Sequence, residues 1–353
     1  MSRYSSAIRP LVIASVVVGV GILVWWGATG LAEWASGLGG GGGPEIVAGN
    51  EVAIEIPPGS TARTIGAELE AAGVVGADDF EDAVSGRGVA AELQAGTYTF
   101  ITGTDVDVII DALIAGPLVE TYWVTIPEGL RATEILDLLA KDTPHDRTTL
   151  ERALLGGSVT SSLVPDGGTD VVSWEGMLFP DTYEFAADAG PTDILGLLAS
   201  TMEQRVAALD WSDVEEAGLT VYDGIVIASL VESEAAVDGD RPLISSVVEN
   251  RLELGMPLQI DATVLYALDR RGGSVSLDDL EVDSPYNTYA NTGLPPTPIG
   301  APGRASLEAA AAPEQTDYLY YVLTSEDGTH SFTADYDEFL ALKQQAKDDG
   351  VIP

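Results

Sequence analysis

The sequence predicts an α+β protein carried on a single N-terminal transmembrane helix, and three observations support this. Leu11 to Leu31 is apolar and holds no charged residue. A strand-turn-helix pattern that begins at Val52 returns at Val124. From about Thr192 long helical periodicities run into a polar, proline-stiffened stretch. At 353 residues, 46% of them hydrophobic, the chain has the length for roughly two domains and ample material for their cores.

The first element is the span, residues 11–31, which at about 1.5 Å per residue is long enough to cross the hydrocarbon layer of a bilayer. Trp25 and Trp26 suit its far interface. Arg3 and Arg9 precede it while Glu33 and Glu45 follow it, so the positive-inside rule makes residues 1–10 a cytoplasmic tail and sends the rest outward. A cleaved signal peptide is the alternative, favoured by the small residues at Gly27 to Ala32, but the apolar stretch exceeds a typical signal-peptide core. An anchor in the cell membrane, with extracytoplasmic working domains, is expected. Residues 32–45 form a glycine-rich linker; Gly37 to Gly42 formally matches GxGxxG, but it follows a membrane helix instead of a strand and is no nucleotide loop.

A module over residues 46–119 comes next. Val52, Ile54 and Ile56 alternate as in a strand, Pro57-Pro58-Gly59 turns, and Thr64 to Ala72 reads as a helix with Ile65 and Leu69 one turn apart. Ala95 to Phe100 is a further strand and Val106 to Ile114 a further helix. Val124 to Gly129 then repeats the strand and turn, and Ala132, Ile135 and Leu139 stand at the same offsets from Gly129 as Ala62, Ile65 and Leu69 do from Gly59. The larger region covers residues 120–350, with its core at about 171–345. Within it Thr143 to Asp170 is turn-rich and reads as an irregular connection. Trp174 to Phe185 gathers aromatics around a Gly and a Pro. Helices are expected from Thr192 to Leu209, from Val221 to Ala235 behind a Thr220/Asp223 capping box, and from Asp240 to Leu254, with Pro242 in the first turn and Gly255 as terminator.

Composition narrows the chemistry. With no cysteine there is no thiol nucleophile, disulfide or thiolate metal site. Only His145 and His330 are present, without metal-ligand spacing, so no metal and no HExxH zinc centre is expected. No GxSxG or Walker A motif occurs, which leaves carboxylate chemistry and no cofactor. The net charge of -40, from 56 acidic against 16 basic residues, argues against nucleic acid as a partner, since that binding needs phosphate neutralisation. The acids are dispersed as on a solvated surface, and adaptation to concentrated salt is expected.

The candidate site begins where the apolar run Ile225 to Val231 ends in Glu232-Ser233-Glu234. A carboxyl at the edge of an apolar helix loses hydration, which raises its pKa and suits it to act as a general acid. Residues two apart on a helix differ by about 200°, so only one glutamate faces a given cleft, and spacing does not choose between them. Two solvated helix-end glutamates would look the same. In the following helix Leu243, Val247, Asn250 and Leu254 form a stripe that places Asn250 on a buried face, with Arg251 beside it as a fork of donors. Met256 to Thr263 alternates in polarity; its Asp261 fits a second catalytic carboxylate or, equally, the N-cap of a helix from Ala262 to Leu268. Asp283 to Gly300 offers Tyr and Asn side chains on a proline-stiffened frame, which suits sugar rings.

From Ile227 to Phe332 these residues resemble the catalytic region of the MltG/YceG family of membrane-bound endolytic murein transglycosylases. The likeness rests on Ala228 to Glu234, Asn250 to Met256, Leu258 to Tyr266, Tyr286-Asn287-Thr288-Tyr289 and Gly293 to Pro296, in that order. The family's catalytic glutamate is the second acid of its Glu-x-Glu element, which falls on Glu234. The resemblance implies a peptidoglycan glycan strand as partner, cut between N-acetylmuramic acid and N-acetylglucosamine with a 1,6-anhydro end and no added water. It implies a substrate-holding set of Glu232, Asn250, Arg251, Gln259, Asp261, Tyr286, Asn287 and Tyr289, a LysM-like peptidoglycan-binding character for residues 46–119, and penicillin-binding polymerases as neighbours. Ser233 stands where the family commonly has Lys, and Thr329 is inserted between Gly328 and His330, so His330 is left out of the catalytic set. A hydrolase with Asp261 as base for water, or a noncatalytic wall-binding scaffold, would be the alternatives.

Overall fold

The computed structural model describes residues 49–352 apart from 119, 166 and 167. The expected tail, membrane span and glycine-rich linker therefore lie outside the described residues. Among the described residues no helix is long and apolar enough to cross a membrane. They divide after Leu118 into two compact units, each with its own core.

In the first unit β1 (Glu51–Ile56), α1 (Ala62–Ala71), α2 (Ala77–Arg87), β2 (Gly96–Ile101) and α3 (Val106–Ala115) follow in order. β1 and β2 pair antiparallel with Ile54 opposite Tyr98, so alternate residues of both strands enter the core. Gly59 takes a left-handed φ of 82° in the turn, and Thr61 caps α1 by accepting from the Thr64 amide. α2, which was not expected from the sequence, buries Phe80 and Val84 one turn apart but lacks the strand and turn that precede α1.

The second unit opens with β3 (Thr121–Thr125), a second left-handed glycine at Gly129 (φ 74°) and α4 (Ala132–Asp142). Ile135 and Leu139 are buried there as Ile65 and Leu69 are in α1, so both copies of the pattern fold alike. The stretch expected to be irregular instead contains α5 (Arg147–Leu155), started by Asp146 accepting from Thr149 and held by buried Leu150 and Leu154. β4 (Thr182–Ala186) pairs antiparallel with β3, Val124 opposite Tyr183. There follow α6 (Pro191–Ala207), α7 (Ser212–Glu216), α8 (Val221–Glu234), α9 (Arg241–Glu253), α10 (Asp261–Ala267) and α11 (Arg304–Ala311). The antiparallel pair β5 (Tyr320–Leu323) and β6 (His330–Thr333) precedes α12 (Tyr336–Asp348).

α8 packs against α9, α10 and α11. Its residues from Gly224 to Val231 are buried on every side, as expected of a helix without a polar face. Each fully buried Ile or Leu there contributes about 2 kcal/mol of hydrophobic stabilisation. The buried stripe expected for α9 needs correction. Ile244, Val247, Val248 and Arg251 are buried, whereas Leu254 is 61% exposed because it follows the last helical turn and points outward.

Candidate active site

α8 starts at the expected capping box: Thr220 Oγ1 accepts from the Asp223 amide, and Asp223 accepts from the Thr220 amide at 2.8 Å. It ends at Glu234, so a core helix delivers the acidic pair to the edge of the unit.

The two glutamates part company there. Glu232 turns to the start of α11, where its Oε2 accepts from Arg241 Nη1 at 3.2 Å, the Gly303 amide at 3.0 Å and Ser306 Oγ at 2.7 Å. This ion pair is nearly enclosed, with side chains 10% and 11% exposed. All three donors meet on one carboxylate oxygen, which fixes this side chain against the start of α11. Among the described residues Glu234 has one hydrogen-bond partner, the Tyr321 hydroxyl, from which its Oε2 accepts at 3.0 Å. Burial pushes its carboxyl up to about 7; the Tyr321 hydrogen bond opposes the rise and the charge of Asp261 adds to it. A group that is half protonated near neutral pH can both give and take a proton.

Around Glu234 the structure gathers Tyr321, Asp261 and Tyr289. Tyr289 donates its hydroxyl to Asp261 Oδ1 at 2.5 Å. Asp261 is the first residue of α10, which Ile260 caps, so Asp261 itself is no N-cap. Arg251 lies behind this group. Its Nε donates to the Leu319 carbonyl at 2.7 Å and its Nη1 to the Leu258 carbonyl at 2.6 Å, and its guanidinium stacks over the Tyr320 ring. It thereby ties β5 to the segment carrying Gln259. Gln259 is exposed between buried Leu258 and Ile260 and has φ 55°, left-handed backbone rare for a side chain of its kind; its backbone N–H donates to the Thr288 carbonyl at 3.1 Å.

The remaining expected residues stand elsewhere. Asn250 gives its amide to the carbonyls of Thr316 and Tyr318. Asn287 is fully buried; it donates to Leu280 and Val282 carbonyls and accepts from the Tyr289 amide, so it shapes the loop that presents Tyr289. Tyr286 packs on Tyr266 with ring centroids 4.7 Å apart and bonds Thr297. Tyr266 in turn donates to Glu175, a buried carboxyl also pushed up to about 7 by burial. A cavity of about 560 Å³ lies on this side, with Glu232, Ser233, Tyr266, Arg131 and Arg271 in its walls. Glu234 is not among its lining residues, in keeping with the angular separation of residues two apart on a helix.

Sequence reasoning missed Tyr321, Asp240 and Glu175. Tyr321 is one of a Tyr-Tyr pair in an ordinary strand pattern, and only the β5 to α8 contact distinguishes it. Asp240 does not cap α9 with its side chain; its Oδ2 instead accepts from the His330 amide at 2.8 Å and meets His330 Nδ1 at 2.9 Å. His330, set aside at the sequence level, packs against Tyr321.

The YceG-like family matches residues 54–345. An endolytic murein transglycosylase of Bacillus subtilis is 36% identical over 83% of this chain and 84% of its own length. One of Streptococcus pneumoniae is 30% identical over 78% of this chain and 55% of its own, so the chain spans about half of that relative. A crystal structure of a YceG-like protein from Listeria monocytogenes aligns with a TM-score of 0.54 at 30% identity, covering 83% of this chain and 99% of that one.

Proposed function

Because this chain belongs to the YceG-like family of endolytic murein transglycosylases, we propose that it cuts peptidoglycan glycan strands between N-acetylmuramic acid and N-acetylglucosamine, with Glu234 as its acid and base. The observation that carries this reading is the state of Glu234, a carboxyl at the end of a core helix, raised to about 7 by burial and, among the described residues, hydrogen-bonded to one tyrosine hydroxyl. Protonated, it gives its proton to the glycosidic oxygen as the C1–O bond breaks. The carboxylate so formed takes the proton of the muramic C6 hydroxyl, whose oxygen bonds C1 and closes the 1,6-anhydro ring. The proton count balances without water. A tethered hydroxyl has a high effective molarity, so no second carboxylate is required as nucleophile.

A hydrolytic reading has one observation in its favour: Asp261 is close enough for its charge to act on Glu234 and would be placed to activate water. Its tight bond to the Tyr289 hydroxyl favours instead a role in orienting substrate. Tyr289, Gln259 and Asp261 are the groups we assign to the strand, while Asn250, Arg251 and Asn287 hold the walls that present them. The Leu11–Leu31 anchor, the peptidoglycan-binding role of residues 46–119 and the neighbourhood of penicillin-binding polymerases complete the proposal. Incubating purified strands with wild type and Glu234→Gln tests the assignment. Cleavage should fall by at least about a thousandfold, and wild-type cleavage by the variant would refute it.

A further inference from the structure

The two carboxyl oxygens of Glu234 are not equivalent. Oε2 receives the Tyr321 hydroxyl, and no other hydrogen bond reaches the group from the described residues. Tyr321 is itself held from the far side. Its ring meets His330 of the paired strand β6 edge-on, with centroids 5.5 Å apart and planes at 82°. His330 is fixed by Asp240, which accepts its backbone amide and meets its ring nitrogen. Asp240 is 5% exposed and stands just before α9, so a clamp anchored on α9 reaches Glu234 through β6 and β5. Packing alone needs no hydroxyl here, since phenylalanine would fill the same space. The oxygen's hydrogen-bond partner is Glu234.

Resting on the reading of Glu234 as the acid, we propose that Tyr321 is a positioning residue for the cleavage: its hydroxyl pins Oε2, leaving Oε1 to carry the transferred proton, and the Asp240–His330 pair holds the Tyr321 ring in register. In the first half of the reaction the proton leaves Oε1 for the glycosidic oxygen, and in the second Oε1 takes the C6 hydroxyl proton. Tyr321 keeps its own proton throughout. Asp261 and Tyr289 face Glu234 from α10 and the loop beyond it, and Arg251 faces Tyr321 from α9. None of these replaces the hydroxyl at Oε2.

The test compares full-length wild type, Tyr321→Phe, His330→Ala and Glu234→Gln on purified uncrosslinked strands across pH, with circular dichroism as a check on folding. A hydrogen bond to a carboxylate favours its charged form. Losing it should move the alkaline limb of activity upward by about one unit and lower kcat about tenfold, with KM little changed. His330→Ala, which loosens the ring without touching Glu234, should lower kcat in the same sense by a smaller factor. Carboxyl NMR titration of Glu234 in Tyr321→Phe reads the same shift without turnover. An unmoved limb and unchanged kcat in Tyr321→Phe, with Glu234→Gln inactive, overturn the positioning role alone. An active Glu234→Gln overturns the reading beneath it as well.

Discussion

Replacing Glu234 by Gln should make the protein more stable above neutral pH and leave it unchanged in acid. Burial raises this carboxyl from its ordinary 4.5 to about 7. The folded chain therefore holds the proton more tightly than the unfolded chain, and stability falls as pH rises through that window. Below about 4.5 both states are protonated and no penalty exists; above about 7 it is complete. A shift of roughly 2.5 units at 1.36 kcal/mol each corresponds to about 3 kcal/mol. Glutamine keeps an oxygen for the Tyr321 hydroxyl and carries no charge, so it removes the penalty and preserves the contact. Glu175 and Glu249 are also raised to about 7, but they are present in both proteins and cancel in the difference. Urea unfolding of wild type and variant, followed through buried Trp174 and Trp211 in the same unit, gives the comparison at pH 4 and pH 8. The variant should gain about 2–3 kcal/mol at pH 8 and nothing at pH 4. An equal difference at both pH values would refute the reasoning.

Other outcomes follow from the packing and from the net charge. Glu232→Ala takes the enclosed carboxylate from Arg241, which keeps the exposed Asp238 at 3.2 Å, and leaves the Gly303 amide without that acceptor; it should cost about 1–3 kcal/mol of stability, read from the urea midpoint. Gly300→Ala would place a Cβ 2.6 Å from the Gly129 carbonyl, in a backbone pairing with no room to yield, and should cost about 1–3 kcal/mol. Gly239→Ala, with nothing within 4 Å, is the neutral control in the same melting experiment. At a net charge of -40 the chain repels itself in dilute buffer, and 1 M salt shortens the screening length to about 3 Å. The Tm should rise with added salt; indifference to salt would remove self-repulsion from the account.

Local pattern made much of the fold legible. The repeated strand-turn-helix, the Thr220/Asp223 box and the termination of α9 at left-handed Gly255 all depend on neighbouring residues, and each stands where expected. α2 and α5 each bury two apolar side chains one turn apart, as α1 does, but neither follows the strand and turn that marked α1 in the sequence. At the site, spacing showed that Glu232 and Glu234 must diverge but not which way. The direction is set by Ser306 and Gly303, together with nearby Arg241, for one and by Tyr321 for the other, and all but Arg241 stand 70 or more residues away. Asn287 illustrates the opposite error. Its amide looked available to a sugar, yet the turn around it consumes both ends of that amide. A polar side chain in a loop-rich segment reads the same from sequence whether it serves substrate or backbone.

The account turns on Glu234 working with the substrate's own hydroxyl instead of with water. Digesting purified glycan strands in water enriched with oxygen-18 and weighing the new ends tests this directly. The account predicts 1,6-anhydromuramic ends without label from the wild type and none from Glu234→Gln. Reducing ends carrying oxygen-18 would contradict it and assign the attack to water.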